Sequence, residues 1–436
     1  MTARARLAAA LLAAAAVTAP GLAGAQAPAA DVRAVRLDNG LTVIVRENPV
    51  APVVAMALLV RMGARWETAD NAGISNFTHA VMVKGTARRS GAELAEAVAA
   101  LGGKITASGD VDYSGIQGTA LARFWRELLG ITAELALTPR LAPEEVDRER
   151  DWLLSRVQRR RDNAAARAFD ELYAALYAPH PYALPNLGTP ESLARIDHAA
   201  IATWYRAFYR PERMVLAVSG QVSDSAVIAE ARRLFGGLPG AALPADPPLP
   251  APRPRGGRVV IEQAAQQTQI LVGGIAPAVD HPDHAAVKVL STILGGGMAG
   301  RLFVELRDRS ALAYTAASYY DPVREPGALV LYLGTAPDNA ARAEQALLRE
   351  VRKIRDAAVP PEELARAKGY LLGRYAMDRR TNERLAWYLA FYDVEGVGGT
   401  YPERYRRRVE AVTAADVQRA ARTYLDSLTT VILGPP

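Results

Sequence analysis

The stretch Gly73–Thr86, GISNFTHAVMVKGT, decides how this chain is read. Ile74, Phe77, Val81 and Met82 recur at three- to four-residue spacing, so an apolar face runs along a helix. Gly85 follows the last of them and stops it. On the N-terminal side, Pro52–Met62 is an unbroken apolar run of strand length, the pattern of a strand buried on both faces. Before it, Val32–Arg46 reads as a hairpin about the turn Asp38-Asn39-Gly40. On the C-terminal side, Ala92–Leu101 is a second helix ended by Gly102-Gly103. Lys104–Gln117 is then a strand pair broken at Gly109.

Further along, Ala120–Leu137 and Pro143–Asn163 are helical, the latter opened by Pro143 with Glu144 and Glu145 in its first turn. Phe169–Tyr177 and Ala199–Phe208 are helices, Met214–Ser219 a strand and Ser223–Leu234 a helix. Gly236–Gly257 has seven prolines and no periodicity, and is expected to be an extended interdomain linker. The remainder repeats the grammar of the first part. Strands Arg258–Glu262 and Gln269–Val272 precede a helix at Ala285–Leu294. A helical turn at Arg301–Arg309 leads into the strand pair Ala313–Tyr319 and Ala328–Leu333, then helices Ala340–Ala357 and Pro361–Tyr375. The endings match too: Ile201…Tyr209…Val215–Gly220 parallels Val417…Tyr424…Val431–Gly434, a helix running into a terminal apolar strand closed by Gly. The pattern predicts a duplicated α/β unit of α+β class, with domains at 28–235 and 258–436 about the 236–257 linker.

Composition bounds the function. The 436 residues are 50% hydrophobic and 22% charged, ordinary for a globular chain with a large core. The net charge of +6 falls to +4 without Arg4 and Arg6, too little and too dispersed for nucleic-acid binding. Residues 1–27 have a basic start, a short Ala/Leu core and small-x-small sites at Ala23–Ala25 and Ala25–Ala27. This predicts a cleaved signal peptide and export to a bacterial periplasm. No later stretch reaches membrane-span length. There is no Cys, hence no disulfide and no thiolate ligand or nucleophile.

GISNFTHAVMVKGT resembles G-x-x-H-x-x-E-H-x-x-x-K-G-T, the inverted zinc motif of the insulinase/pitrilysin family of zinc peptidases. In that motif two His four apart hold the metal and the Glu is the general base. The corresponding positions here are Asn76, Ala80 and His79. The family's third ligand, a Glu some 76 residues on, falls at Arg156, and a supporting Glu seven residues earlier falls at Glu149. Both lie in a phrase resembling E-R-x-x-x-L-x-E. An amide, a methyl and a permanent cation cannot supply zinc ligands, so no metal is expected in this chain. The Arg156 guanidinium is expected to fill the vacated space and pair with Glu149. A hydrolytic site built on His79 alone lacks a nucleophile and an orienting carboxylate.

Gly295-Gly296-Gly297-Met298-Ala299-Gly300 matches G-x-G-x-x-G but follows a helix rather than a strand, which argues against a dinucleotide site. With Arg301-Leu302-Phe303 it resembles the family's G-G-x-x-S-R-L-F. Arg307 and Tyr314 match the family's E-x-R-x-x-x-x-L-A-Y, whose Arg and Tyr bind substrate backbone and the reacting carbonyl. Lys104–Tyr113 is the edge candidate for pairing with an extended peptide. His281 and His284, flanking Pro282, are expected to be solvated capping residues.

The resemblance runs from Val35 to Gly434 and implies two homologous domains forming half of a clamshell. It is similar to the non-catalytic subunit of a heterodimeric processing peptidase. That likeness implies a zinc-containing homologous partner subunit with an intact motif, a peptide or unfolded protein as substrate, and Arg307 and Tyr314 acting in trans. A peptide-binding or scaffold protein of the envelope with no catalytic partner is the alternative.

Overall fold

A computed structural model describes residues 32–436 apart from 244 and 247. The expected signal peptide therefore lies outside the described residues. The first half runs β1 (Val32–Arg36), β2 (Thr42–Glu47), β3 (Val53–Val60), α1 (Ile74–Met82), α2 (Gly91–Ala100), β4 (Lys104–Gly109) and β5 (Ser114–Leu121). It continues with α3 (Trp125–Leu137), α4 (Pro143–Asp162), α5 (Ala164–Tyr177), α6 (Pro190–Arg195), α7 (His198–Phe208), β6 (Met214–Gly220) and α8 (Asp224–Phe235). The second half runs β7 (Gly257–Glu262), β8 (Thr268–Ala276), α9 (His284–Gly295), β9 (Thr315–Tyr320) and β10 (Gly327–Thr335). Then come α10 (Ala340–Asp356), α11 (Pro361–Asp378), α12 (Asn382–Val394), α13 (Tyr401–Ala411), α14 (Ala414–Tyr424) and β11 (Thr429–Gly434).

The two sheets have the orders β1-β2-β6-β3-β5-β4 and β7-β11-β8-β10-β9. Without β1 the first is the second repeated. In each, the last strand of the half runs parallel to the first (β2 with β6, β7 with β11) and antiparallel to the next (β3 with β6, β8 with β11). The duplication is thus one of topology as well as of sequence pattern. Local signals set many boundaries. Ser90 and Glu93 cap α2 reciprocally, Pro143 opens α4, and Thr413 with Asp416 caps α14.

The halves share helices. Alternate residues of the first sheet face opposite ways, as the two-residue strand period requires. Val54, Met56, Leu58 and Val60 join the first half's own core with Val43, Leu216 and Val218. Ala55, Ala57, Leu59, Ile44, Val215 and Ala217 instead share a core with Ala386, Leu389, Ala390 and Phe391 of α12, from the second half. Reciprocally, α5 of the first half lays Ala168, Leu172 and Leu176 on Leu271, Val330, Val431 and Leu433 of the second sheet. A Cβ on Gly273 would come within 3.0 Å of Leu172, so that helix lies close on the strand. The described residues of 236–256 form no helix or strand. They are tied down, however: Asp246 pairs with Arg324 at 2.9 Å, and Arg255 N donates to Ala175 O at 3.0 Å.

Candidate functional site

Helix α1 starts at Gly73, whose φ of 88° is left-handed and whose Cβ would meet Gly188 N at 2.6 Å, so both conformation and space require Gly. The buried Glu67 carboxylate accepts from Gly73 N at 2.7 Å and Ser75 N at 2.9 Å, serving the orphan donors of the first turn. Burial nevertheless pushes its pKa up. Ile74, Phe77, Val81 and Met82 are buried, as their spacing predicts.

The replaced positions separate into two groups. Asn76 and Ala80, one turn apart, share a partly exposed face, and Lys84 follows a turn later. The end of edge strand β4 crosses this face: a Cβ on Gly109 would stand 2.8 Å from Asn76 N. The Asn76 amide nitrogen is buried and has no hydrogen-bond partner among the described residues. His79 turns inward and is fully buried. Its Nδ1–H donates to Ser75 O at 2.8 Å, and its Nε2 accepts from the Tyr209 hydroxyl at 2.7 Å. Burial depresses its pKa to about 4. Both ring nitrogens are occupied and water is excluded, so a hydrolytic site on His79 is not supported.

The expected Arg156–Glu149 pair does not form. Glu149 lies on the buried stripe of α4 with Val146, Leu153 and Val157, and it pairs with Lys84 Nζ at 2.7 Å. Arg156 falls on the solvent side of that stripe, exposed and without an ion pair among the described residues. Glu149 already holds a cation, so nothing draws Arg156 inward. Zinc does not fit this set. Among the described residues no three His, Asp or Glu are grouped to hold a metal ion.

The second half presents Arg307 and Tyr314. Arg307 lies in the last turn of a wide helical segment, Phe303–Arg309, and its guanidinium lies 4.7 Å from the Phe303 ring centroid. Leu312 N and Ala313 N both donate to Leu306 O, at 2.7 and 3.1 Å, closing the turn. Tyr314 N donates to Gly334 O at 2.8 Å, holding the residue just before edge strand β9. Arg307 is exposed and the Tyr314 side chain is 61% exposed, so both donors are free to meet another molecule. The preceding Gly-rich loop is fixed by a two-pronged Arg301–Glu363 pair at 2.8 and 2.7 Å. Gly295 packs on the β9 backbone, where a Cβ would stand 2.2 Å from Ser318 N, so the loop is a packing device rather than a phosphate cradle. His284 corrects its expectation. It is 3% exposed and bonded to the Tyr320 hydroxyl at 2.8 Å, whereas His281 Nδ1 accepts from Asp283 N in a local turn.

The fold and the emptied ligand set define a peptidase-like half-clamshell without metal ligands. Residues 42–190 match the family described as Insulinase (Peptidase family M16), and residues 195–371 match the Peptidase M16 inactive domain. A Rickettsia bellii chain named "Uncharacterized zinc protease" is 26% identical over 410 residues, covering 92% of this chain and 97% of that one. An "Uncharacterized zinc protease" from Mycobacterium leprae is 28% identical over 405 residues, covering 92% and 91%. A crystal structure of a Helicobacter pylori protease superposes with a TM-score of 0.87 at 22% identity, covering 93% of this chain and 99% of that one. The peptidase M16 inactive domain from Pseudomonas fluorescens gives 0.84 at 23% identity, covering 93% and 98%. The chain belongs to the insulinase-type M16 peptidase family, as a non-catalytic member lacking the zinc motif.

Proposed function

We propose that this chain is the zinc-free subunit of a periplasmic heterodimeric metallopeptidase, paired with a homologous chain whose H-x-x-E-H motif is intact. The observation that carries the reading is a contrast. Every ligand position is chemically incapable of holding zinc, while the scaffold around it is built with care and Arg307 and Tyr314 stand exposed and unused. A guanidinium and a phenol are both donors, suited to a peptide carbonyl or a developing oxyanion. The hydrolytic residues belong to the partner, and this chain supplies substrate contacts in trans.

The mature chain, beginning after Ala25 or Ala27, is expected to contain no stoichiometric zinc and to cleave no peptide alone. Co-purified with an intact-motif homologue, it should raise that homologue's peptide turnover. Arg307→Ala and Tyr314→Phe should then lower kcat/KM by about 100- to 1000-fold, the range for losing one transition-state donor. Asn76→Ala should leave it unchanged. If no complex forms and no activity is gained, the chain is a peptide-binding or scaffold protein of the envelope instead.

A further inference from the structure

A cavity of about 1230 Å³ opens where the two halves meet, beyond the α1 site. Its boundary includes the β4–β5 turn, the α4–α5 junction, the β9–β10 turn and α12. One wall is aromatic: Trp387 and Phe391 stack with ring centroids 4.6 Å apart, and Tyr113 stands edge-on to Phe391 at 5.6 Å. Tyr177 and Tyr182, at 5.5 Å, make another. Between them lie the carboxylates of Asp110, Asp112 and Glu395.

The direct hydrogen-bond partners of these carboxylates carry no charge. Asp112 accepts from the Tyr182 hydroxyl and from Arg324 N, and Asp110 from Val111 N and the Tyr113 hydroxyl. These are neutral donors. Glu395 is 5% exposed, and its buried Oε2 has no partner among the described residues. Arg65 and Arg324 lie near enough to lower the pKa of Glu395, and Arg65 that of Asp112, but their ion pairs are made with Glu325 and Asp246. At the far end of the cavity, Arg160 is neutralised by Asp170 through two bonds of 2.7 Å. Burial, and then Asp112, push the pKa of Glu395 well up against the opposing pull of Arg324 and Arg65. Asp110 and Asp112 are raised mainly by burial. Among the described residues the lining holds more carboxylates (Asp110, Asp112, Asp321 and Glu395 among them) than its three guanidiniums, Arg160, Arg161 and Arg167.

We propose that this junctional cavity is a binding site for an organic cation, presenting an ammonium or guanidinium group to Glu395, Asp112 and Asp110 between the aromatic walls. A hard metal ion needs a tight shell of oxygens, and these carboxylates are not grouped to give one. Ring faces and dispersed carboxylates instead attract a diffuse cation carried on an apolar frame. The site does not depend on a peptidase partner.

The test is calorimetric titration of the whole mature chain at constant ionic strength. The probes are spermidine, putrescine and N-acetyl-arginine amide, with succinate as the opposite-charge control. At least one cation should bind saturably with a Kd below about 1 mM. Binding of the polyamines alone assigns a free amine. Binding of the arginine amide alone assigns a basic side chain of a polypeptide. Glu395→Gln should weaken binding at least tenfold. That variant should remain folded, because Gln keeps the size and one acceptor oxygen of the side chain, and a thermal melt at pH 7 checks it. Trp387→Leu, as a second variant, should weaken binding about fivefold through loss of the aromatic wall that it builds with Phe391. The proposal is overturned if no cation binds saturably, if succinate binds as well, or if Glu395→Gln binds unchanged.

Discussion

His79 occupies the position that carries the general base in the resembled motif, yet its chemistry has become structural. The Ser75 carbonyl fixes the proton on Nδ1 and the Tyr209 hydroxyl serves Nε2, so the ring is held neutral. Its pKa is about 4 when folded, against about 6.5 unfolded. Between those values the unfolded chain binds the extra proton. This contribution to stability is therefore complete above about pH 6.5 and is lost as pH falls toward 4, amounting to about 3 kcal/mol. Denaturant melts of the parent and of His79→Asn should show it. The parent should lose about 2 kcal/mol more than the variant between pH 7 and 5, and equal losses would refute the assignment. Tyr209→Phe strands a buried ring nitrogen and should cost about 1–3 kcal/mol at pH 7. Asn76→Ala removes an amide whose nitrogen has no partner among the described residues, so its Tm should move little.

At the level of elements, α12 and α5 explain why the strands read as they do. The run Val53–Val60 is apolar throughout because β3 is covered on one face by its own half and on the other by α12. The covered residues on the α12 side are small at Ala55, Ala57 and Ala217, which lets the helix come near. Ala57→Leu should thus overpack this contact and cost about 1–3 kcal/mol. Leu172→Ala, on the reciprocal contact of α5, should leave a cavity and cost about 2–5 kcal/mol. Urea midpoints at constant m would measure both. A negligible cost at Ala57 would mean that α12 does not bear on the sheet as described.

For the whole molecule, the exchange of helices makes each half incomplete. Residues 28–235 alone would expose Ile44, Leu59 and Val215, and residues 236–436 alone would lose the cover over Leu271 and Leu433. Each fragment should aggregate when expressed singly. Co-expressed, the two should form a soluble one-to-one complex by gel filtration. A monomeric, cooperatively melting first fragment would refute the interdependence.

The α1 helix, the two-sided burial of β3 and the duplication were legible in the chain because each rests on local spacing, and the missing zinc motif was legible through the resemblance of Gly73–Thr86 to the family's. Helix α12 was not. Its sequence, Asn382–Val394, is apolar around most of its circumference, so it lacks the one-sided stripe that marks a surface helix. That absence of pattern follows from burial against the other half's sheet, which no local window contains. The same holds for Arg156 and Glu149. Their seven-residue spacing puts them near one face, but which of them has a partner depended on Lys84, 65 residues away from Glu149 in sequence and 2.7 Å away in space. The cation-poor cavity also gathers Asp112, Tyr182 and Glu395 from three separate segments. Sequence alone determined that the zinc motif is missing, since that is a matter of residue identity. Tertiary structure decided which charges are paired and which are left waiting, since pairing is a matter of distance.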